Sequence, residues 1–185
     1  MDAAERRETI RRSLLESDAP VSAGAFARRL GVSRQIIVGD VALLRAANAA
    51  WLRAAGAPIE ATPRGYVIQK ETGRAGVVKT IACRHGKDGI TREMYAVVDN
   101  GCGMLDVTVE HAVYGQISGQ LHAFSRYDVD SFVKKLAKSG SLPLCNLTGG
   151  VHLHTILCPD EAAYRRVLEK LKEEKILFEK NARED

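Results

Sequence analysis

The sequence predicts an α+β protein with two domains, a winged helix-turn-helix over residues 1–72 and a ferredoxin-like βαββαβα sandwich over residues 76–185. Three features predict this arrangement. Helical periodicity with tight turns fills the first 53 residues, a strand-turn-strand pattern follows, and strand-like alternation begins after a glycine-containing stretch near residue 75. A chain of 185 residues can form two small cores, and its length excludes a large multidomain enzyme.

The charge of the chain is divided unevenly between the two predicted domains. Residues 1–74 contain 12 Lys and Arg against 8 Asp and Glu, whereas residues 75–185 contain 15 of each class. Eleven of the 12 N-terminal cations are arginine, whose planar guanidinium suits phosphates and guanine edges. We therefore expect the N-terminal domain to contact nucleic acid. The apolar runs are short and interrupted by charge, and this pattern predicts a cytoplasmic chain with no membrane span.

The first two helices are predicted from apolar spacing and capping residues. A helix over residues 5–16 places Ile10 and Leu14 on one face and ends at the following Ser/Asp/Pro cluster. Ser22 can then cap a second helix, Ala23–Leu30. A tight turn at Gly31, Val32 and Ser33 joins this second helix to a third, and this succession indicates a helix-turn-helix.

The third helix is the predicted recognition helix. Ser33 caps its N-terminus, and the helical pattern continues to Arg53. The residues expected in its core are Ile37, Val41 and Leu44. The residues expected to project from its first turns, where helices of this architecture read bases, are Arg34, Gln35 and Val38.

Residues 58–68 predict a β-hairpin, two short strand-like pieces about a Pro/Arg/Gly turn. A helix-turn-helix followed by a hairpin is a winged helix, and the alternative is a three-helix protein-binding module that also has a hairpin. Arginine at both the start of the recognition helix and the tip of the wing favours DNA. The candidate DNA-contact residues are Ser33, Arg34, Gln35, Thr62 and Arg64.

The second domain is predicted from alternating strand and helix patterns. Strands are expected at residues 77–85, 104–111, 115–124 and 151–158. Helices are expected near residues 90–99, 128–139 and 160–175. The order βαββαβα indicates a ferredoxin-like sandwich. The last helix is apolar on one face and charged on the other, so it could close the sheet or pair with a second subunit.

A candidate metal site comes from the histidines of this domain. His152 and His154 are two residues apart on one strand and point to the same face, so they can chelate one ion. His85 ends the first strand and Glu93 lies in the first turn of the next helix, and the first and fourth strands of such a sheet are not far apart. Three imidazoles and a carboxylate suit one divalent metal such as nickel, zinc or iron.

Other interpretations of these residues stay open. A histidine at a strand end is commonly a hydrogen-bonded surface residue, and Cys83 and Cys158 share the strand faces of the histidines, so a zinc site with thiolates is an alternative. The four cysteines form no close pairs, so free thiols are expected. Neither a nucleophile elbow nor a glycine-rich phosphate loop is found in the sequence, and a metal-dependent hydrolase is the second candidate function.

The combined pattern resembles the nicotinate-responsive transcription repressors of the NiaR type, which pair a winged helix with a three-histidine domain. The resemblance rests on the run LTGGVHLHT at residues 147–155 together with His85 and Glu93. It also includes VSRQ at residues 32–35 and ATPRGYV at residues 61–67, and it covers almost the entire chain. The third helix is about seven residues, or two turns, longer than expected for this family.

This resemblance implies a function that residue patterns alone do not give. It implies that the chain is not an enzyme but a homodimeric repressor of genes for NAD biosynthesis or niacin uptake, which binds double-stranded operator DNA with nicotinic acid as co-repressor. It also implies one divalent transition metal per chain, nickel first, with zinc or iron as alternatives. The implied metal ligands are His85, Glu93, His152 and His154.

Overall fold

The structure is a computed structural model that describes most of the chain in two compact units. The described residues are 1–17, 19–55, 59–68 and 76–179, without the side chains of residues 47–55. The units are Met1–Gly73 and Arg74–Asp185. The predicted boundary near residue 75 lies largely outside the described residues. Among the described helices, none has the length and apolar character needed to cross a membrane.

The described part of the N-terminal unit contains three helices and an antiparallel hairpin, as the sequence predicts for a winged helix-turn-helix. Its elements are α1 (Ala3–Glu16), α2 (Ala23–Leu30), α3 (Arg34–Ala55), β1 (Ile59–Thr62) and β2 (Gly65–Ile68). The predicted caps are present, because the Ser22 hydroxyl accepts the Ala25 N–H at 3.1 Å and the Ser33 hydroxyl accepts the Ile36 N–H at 3.3 Å. Both helices of the helix-turn-helix therefore begin where their serines place them.

The core of this unit joins all five elements. Its buried residues are Ile10, Leu14, Ala23, Phe26, Ala27, Ile37, Val41, Ile59 and Ile68. Val21 and Tyr66 exchange two backbone hydrogen bonds, 2.8 and 2.9 Å long, which hold the wing against the segment before α2. The buried carboxylate of Asp40 accepts a 2.6 Å hydrogen bond from Arg6 Nε and so ties α3 to α1.

The recognition helix differs from the prediction at one position. Val38, expected to project from the first turns, is half-buried against the core, and Ile36 is exposed instead. The helix continues to Ala55, in agreement with the predicted extension. The extra turns fall on residues whose side chains lie outside the description, Trp51 among them.

The C-terminal unit follows the predicted order βαββαβα. Its elements are β3 (Val77–Arg84), α4 (Ile90–Val98), β4 (Gly103–His111), β5 (Gly115–Ala123), α5 (Arg126–Ser139), β6 (Val151–Cys158) and α6 (Glu161–Glu173). Short 3-10 helices occupy Lys87–Gly89 and Leu144–Thr148. Along β6 the even-numbered residues from His152 to Cys158 are buried, and Ile156 and Cys158 share a core with α4 and α6.

The strand order departs from the ferredoxin-like arrangement in one respect. The four strands form an antiparallel sheet in the order β3-β6-β4-β5, so the last strand lies between the first and the second. In the ferredoxin-like sheet the third strand occupies that place. The α+β class and the element order are confirmed, and the first and last strands, expected to be close, pair directly. As a result, residues of β3 and β6 meet in one site.

The expectation of four free thiols is wrong for two of the cysteines. Cys102 and Cys158 form a disulfide with their Cα atoms 4.3 Å apart, whereas Cys83 and Cys145 are free and buried. The pair is separated by 56 residues in sequence. It meets because Cys102 immediately precedes β4 and Cys158 ends β6, two strands that pair only in the folded sheet. Spacing along the chain carries no signal of such a contact.

Candidate metal centre

The four predicted metal ligands lie around one buried point of the C-terminal unit. His85 follows the last residue of β3, Glu93 lies in the first turn of α4, and His152 and His154 occupy alternate positions on the buried face of β6. Glu93 is 2% exposed and the two β6 histidines are each 3% exposed. Because β3 pairs with β6 and α4 packs over both strands, side chains far apart in sequence converge there.

The carboxylate of Glu93 is the centre of the group. Its Oε2 lies 2.7 Å from His85 Nε2, and its Oε1 lies 3.2 Å from His152 Nε2. The Nε2 atom of His154 lies 3.2 Å from Oε2. All three imidazoles therefore present the same ring nitrogen to one carboxylate.

The opposite nitrogen of each ring is anchored to a backbone carbonyl. His85 Nδ1 lies 2.7 Å from the carbonyl oxygen of Gly86, His152 Nδ1 lies 2.8 Å from that of Gly150, and His154 Nδ1 lies 2.6 Å from that of Asp106. A carbonyl oxygen only accepts hydrogen bonds, so each Nδ1 carries the proton and donates it. In a neutral imidazole the Nε2 atom then has a free lone pair.

Four lone-pair donors directed at one buried point require a cation between them. Neutral imidazole nitrogens and a carboxylate repel one another when no proton or metal lies among them. His154 Nε2 shows the need most clearly, since it is buried and makes no hydrogen bond with any described residue despite its proximity to Glu93. Protons on the rings or one metal ion satisfy this geometry.

The donor set fits a divalent transition metal. His85, Glu93 and His152 each offer a ligand atom, and these three atoms lie within 4.8 Å of one another. His154 lies beside them, its ring centroid 4.9 Å from that of His152. Imidazole nitrogen and carboxylate oxygen are ligands of borderline metals such as zinc, nickel and iron. Rings oriented by hydrogen bonds from Nδ1 are typical of metal-ligating histidines.

Two glycines make room for this arrangement. Gly150 has φ of +95°, and its carbonyl oxygen accepts both the His85 backbone N–H at 3.2 Å and the His152 Nδ1–H. A Cβ at Gly150 would lie 2.8 Å from the carbonyl oxygen of His85, and a Cβ at Gly89 would lie 2.4 Å from the His85 ring. The glycine pair Gly149-Gly150 before β6 is a sequence pattern typical of close backbone approach, whereas no such pattern marks Gly89.

The rival site containing thiolates is not supported. Cys158, one of its two proposed ligands, is in the disulfide. Cys83 is fully buried opposite His152, where burial first and then the charge of Glu93 raise the pKa of its thiol. In metal-free protein a thiol in these surroundings stays protonated, and Cys83 packs beside the histidines.

Burial and charge act in opposite directions on the titrating groups of the centre. Burial would raise the pKa of Glu93, but the three histidines outweigh it and hold this pKa well below the usual 4.5. Burial would lower the pKa of His154, but the charge of Glu93 raises it above 6.5, and the hydrogen bond and charge of Glu93 likewise raise the pKa of His85. Without metal, protonated imidazoles thus neutralise the carboxylate.

Metal and protons are therefore expected to stabilise the C-terminal unit in opposite pH ranges. The raised histidine pKa values contribute stability that is complete below pH 6.5 and is lost as the pH rises through the folded-state pKa. Metal binding needs deprotonated imidazoles, so it strengthens over that same rise. Thermal unfolding should be measured from about pH 5 to 9. As the pH rises over this range, the melting temperature of metal-free protein should fall, whereas that of metal-loaded protein should be maintained. A metal-induced increase in melting temperature that is equal at both ends would contradict this expectation.

The candidate DNA-contact residues lie at the start of α3 and in the wing. Ser33, Arg34 and Gln35 are exposed at the N-terminus of the helix. Thr62 and Arg64 are half-buried at the hairpin turn. The Thr62 hydroxyl accepts the Arg64 N–H at 3.2 Å and donates to the Gly65 carbonyl at 2.9 Å. Thr62 thus shapes the turn that presents Arg64.

Comparisons with known proteins agree with both units. Residues 6–67 match a family described as an HTH domain, and residues 78–180 match a family described as a 3H domain. The "Probable transcription repressor NiaR" of Thermotoga maritima is 42% identical over 175 residues, covering 95% of this chain and 94% of the relative. The "Transcription repressor NadR" of Bacillus subtilis is 36% identical over 177 residues, with the same two coverages.

These similarities decide between the two classes of function that the sequence left open. The relatives are named as transcription repressors, and the helix-turn-helix match spans the N-terminal unit, so the chain is a regulator and not a metal-dependent hydrolase. The matches cover both units and nearly the whole length of each relative. This protein belongs to the NiaR-type family of transcription repressors, which join a helix-turn-helix domain to a 3H domain.

Proposed function

We propose that this protein is a cytoplasmic, metal-containing repressor that binds operator DNA as a homodimer when nicotinic acid is present. Its targets would be genes for NAD biosynthesis or niacin uptake. In this proposal the N-terminal unit binds DNA, and the C-terminal unit holds one divalent metal per chain and senses the pyridine carboxylate. The nicotinic acid response and the homodimer rest on the resemblance to the NiaR-type family.

The observation that carries the proposal is the convergence of three imidazole Nε2 atoms on the buried carboxylate of Glu93. The proposed ligands are His85, Glu93, His152 and His154, and nickel is the first candidate ion, with zinc or iron as alternatives. When bound, the metal supplies a Lewis-acidic centre that attracts a carboxylate or a pyridine nitrogen. The exposed cations of Arg84 and Lys87, on either side of His85, are available to an anionic ligand.

The experiment that tests this function is a DNA titration under controlled ligand conditions. Wild-type protein first selects duplexes from a random library, once with nicotinate and nickel and once without either. The selected duplex is then titrated in both states. Tighter binding with nicotinate supports the proposal, whereas the same affinity in both states would leave a DNA-binding protein with a different effector.

Arg34 is expected to read a base edge, and Arg64 is expected to contact DNA from the wing. Arg34 is exposed at the N-terminus of α3, the part of a recognition helix that enters the major groove. Arg34→Ala should weaken binding of the selected duplex by about 1–3 kcal/mol if the arginine bonds guanine through two nitrogens. Arg64→Ala should cost less if Arg64 meets only phosphate.

The matched control for these variants is Arg12→Ala, which removes the same charge from an exposed position on α1. Gel-shift affinities for the selected duplex and for an unrelated duplex separate base readout from general electrostatic attraction. If Arg34→Ala and Arg64→Ala both bind like the Arg12→Ala protein, the assignment of these arginines to the DNA interface is wrong.

A further inference from the structure

A bulge in β4 lies directly beside the metal centre. Between the register pairs Met104↔Ile156 and Thr108↔Leu153, β4 advances by one residue more than β6 does. The register between β4 and β5 also shifts, between Met104 and Asp106, and His122 on the facing part of β5 has φ of +48°. One extra residue in a strand re-aims its neighbouring backbone groups. The bulge therefore decides which β4 groups face His154.

Asp106 lies in this bulge and bonds to two consecutive residues of β6. Its backbone carbonyl oxygen lies 2.6 Å from His154 Nδ1, and its side-chain Oδ1 accepts the Thr155 backbone N–H at 3.0 Å. In a regular ladder that N–H would bond to a backbone carbonyl of the neighbouring strand. The Asp106 carboxylate thus supplies an acceptor at the point where the irregular ladder changes its pattern.

We propose that Asp106 is a positioning residue of the metal centre, whose carboxylate holds the β4 bulge so that its carbonyl fixes the tautomer of His154. With the proton held on Nδ1 by that carbonyl, the Nε2 lone pair of His154 is directed at Glu93. His154 Nε2 has no hydrogen bond to a described residue, so the bond to Asp106 is what orients the ring. This inference rests on the proposed metal site for its purpose, but its geometry does not depend on a bound ion.

The requirement on the side chain is an acceptor oxygen at the Oδ1 position. Alanine provides none, which leaves the Thr155 N–H without its partner and removes the bond that holds the bulge. Asparagine keeps an acceptor oxygen in the same place, and Asp106 is only half-buried, so its amide nitrogen can reach water. Asp106→Asn is therefore the conservative variant, which should keep the position of His154. Asp106→Ala should lose it.

The test combines the tautomer of His154 with zinc affinity in three variants of the full chain. Nitrogen-15 NMR of metal-free protein, at a pH where the rings are neutral, reports which nitrogen of His154 carries the proton. We expect Nδ1–H in the wild-type and Asp106→Asn proteins and a mixture of tautomers in Asp106→Ala. Zinc affinity should fall about 10- to 100-fold in Asp106→Ala and stay near wild type in Asp106→Asn. Glu110→Ala, an exposed change on the same strand, is the control.

Each outcome has a distinct meaning. If Asp106→Ala keeps a pure Nδ1–H tautomer and wild-type zinc affinity, the positioning role is wrong. If the affinity falls with the tautomer unchanged, Asp106 acts through general stability, and the proposal is also overturned. If the tautomer changes while wild-type protein binds no zinc, nickel or iron, the positioning of His154 stands and the proposed metal function fails.

Discussion

A protein in which His152 and His154 are both replaced by alanine should lose its metal. The two rings supply two of the four proposed ligands, and each is 3% exposed, so water does not replace them as it would at the surface. Even the loss of a group that only orients a ligand commonly weakens metal binding about 10- to 100-fold, and the loss of two direct ligands should exceed that range. The expected result is protein that retains little nickel or zinc after desalting, measured by elemental analysis.

The buried carboxylate complicates this experiment and also suggests its control. Removing both histidines leaves Glu93 with His85 alone, and a buried charge that loses its partners can cost about 3–5 kcal/mol of stability. Adding Glu93→Gln to the double variant removes the charge, so this triple variant should recover stability without recovering metal. His111→Ala, a histidine at the β4–β5 turn, controls for loss of an imidazole elsewhere. Stoichiometric metal in the folded triple variant would exclude these residues as its ligands.

The second large effect is expected in the coupling between nicotinate and DNA. The proposed sensor and the proposed DNA contacts belong to different compact units, so we expect the ligand to change operator affinity by favouring one arrangement of the proposed dimer. Such couplings are usually about 5- to 150-fold, or 1–3 kcal/mol. We expect nicotinate to tighten binding of the selected duplex by an amount in this range, and only in protein that holds its metal.

Operator titrations of the wild-type and metal-site variants, each with and without nicotinate, measure this coupling. The folded triple variant should bind DNA with one affinity whether or not nicotinate is present. An enhancement of equal size in both proteins would show that the metal is incidental to sensing.

Parallel sedimentation measurements are expected to show a dimer, because two half-sites related by symmetry require two DNA-binding units. A monomer that protects a single asymmetric site would contradict the proposed assembly.

Local sequence signals predicted the N-terminal unit closely because its structure depends on short-range chemistry. Serine caps at Ser22 and Ser33 begin two helices through bonds to residues three positions ahead, and apolar spacing of three and four residues defines the core face. The exception is Val38, which is half-buried. Its burial depends on packing against other elements, which helical spacing does not specify.

The residues of the candidate metal centre could be predicted as a set, but their geometry could not. The alternation of β6 placed His152 and His154 on one face, and the expected closeness of the first and last strands brought His85 near them. The anchors of the rings are backbone carbonyls of Gly86, Gly150 and Asp106. Every residue has a carbonyl, so no residue type marks the ones that orient a histidine.

The sequence by itself determined the element order, the helix caps, the wing and the histidine-carboxylate set, because each is encoded by residues at fixed short spacing. Only the tertiary structure decided the strand order β3-β6-β4-β5, the Cys102–Cys158 disulfide and the bulge at Asp106. These features depend on which strands become neighbours and in what register, choices made by the packing of the whole sheet. The sequence therefore predicted the candidate ligands, and the fold directs their lone pairs at one point.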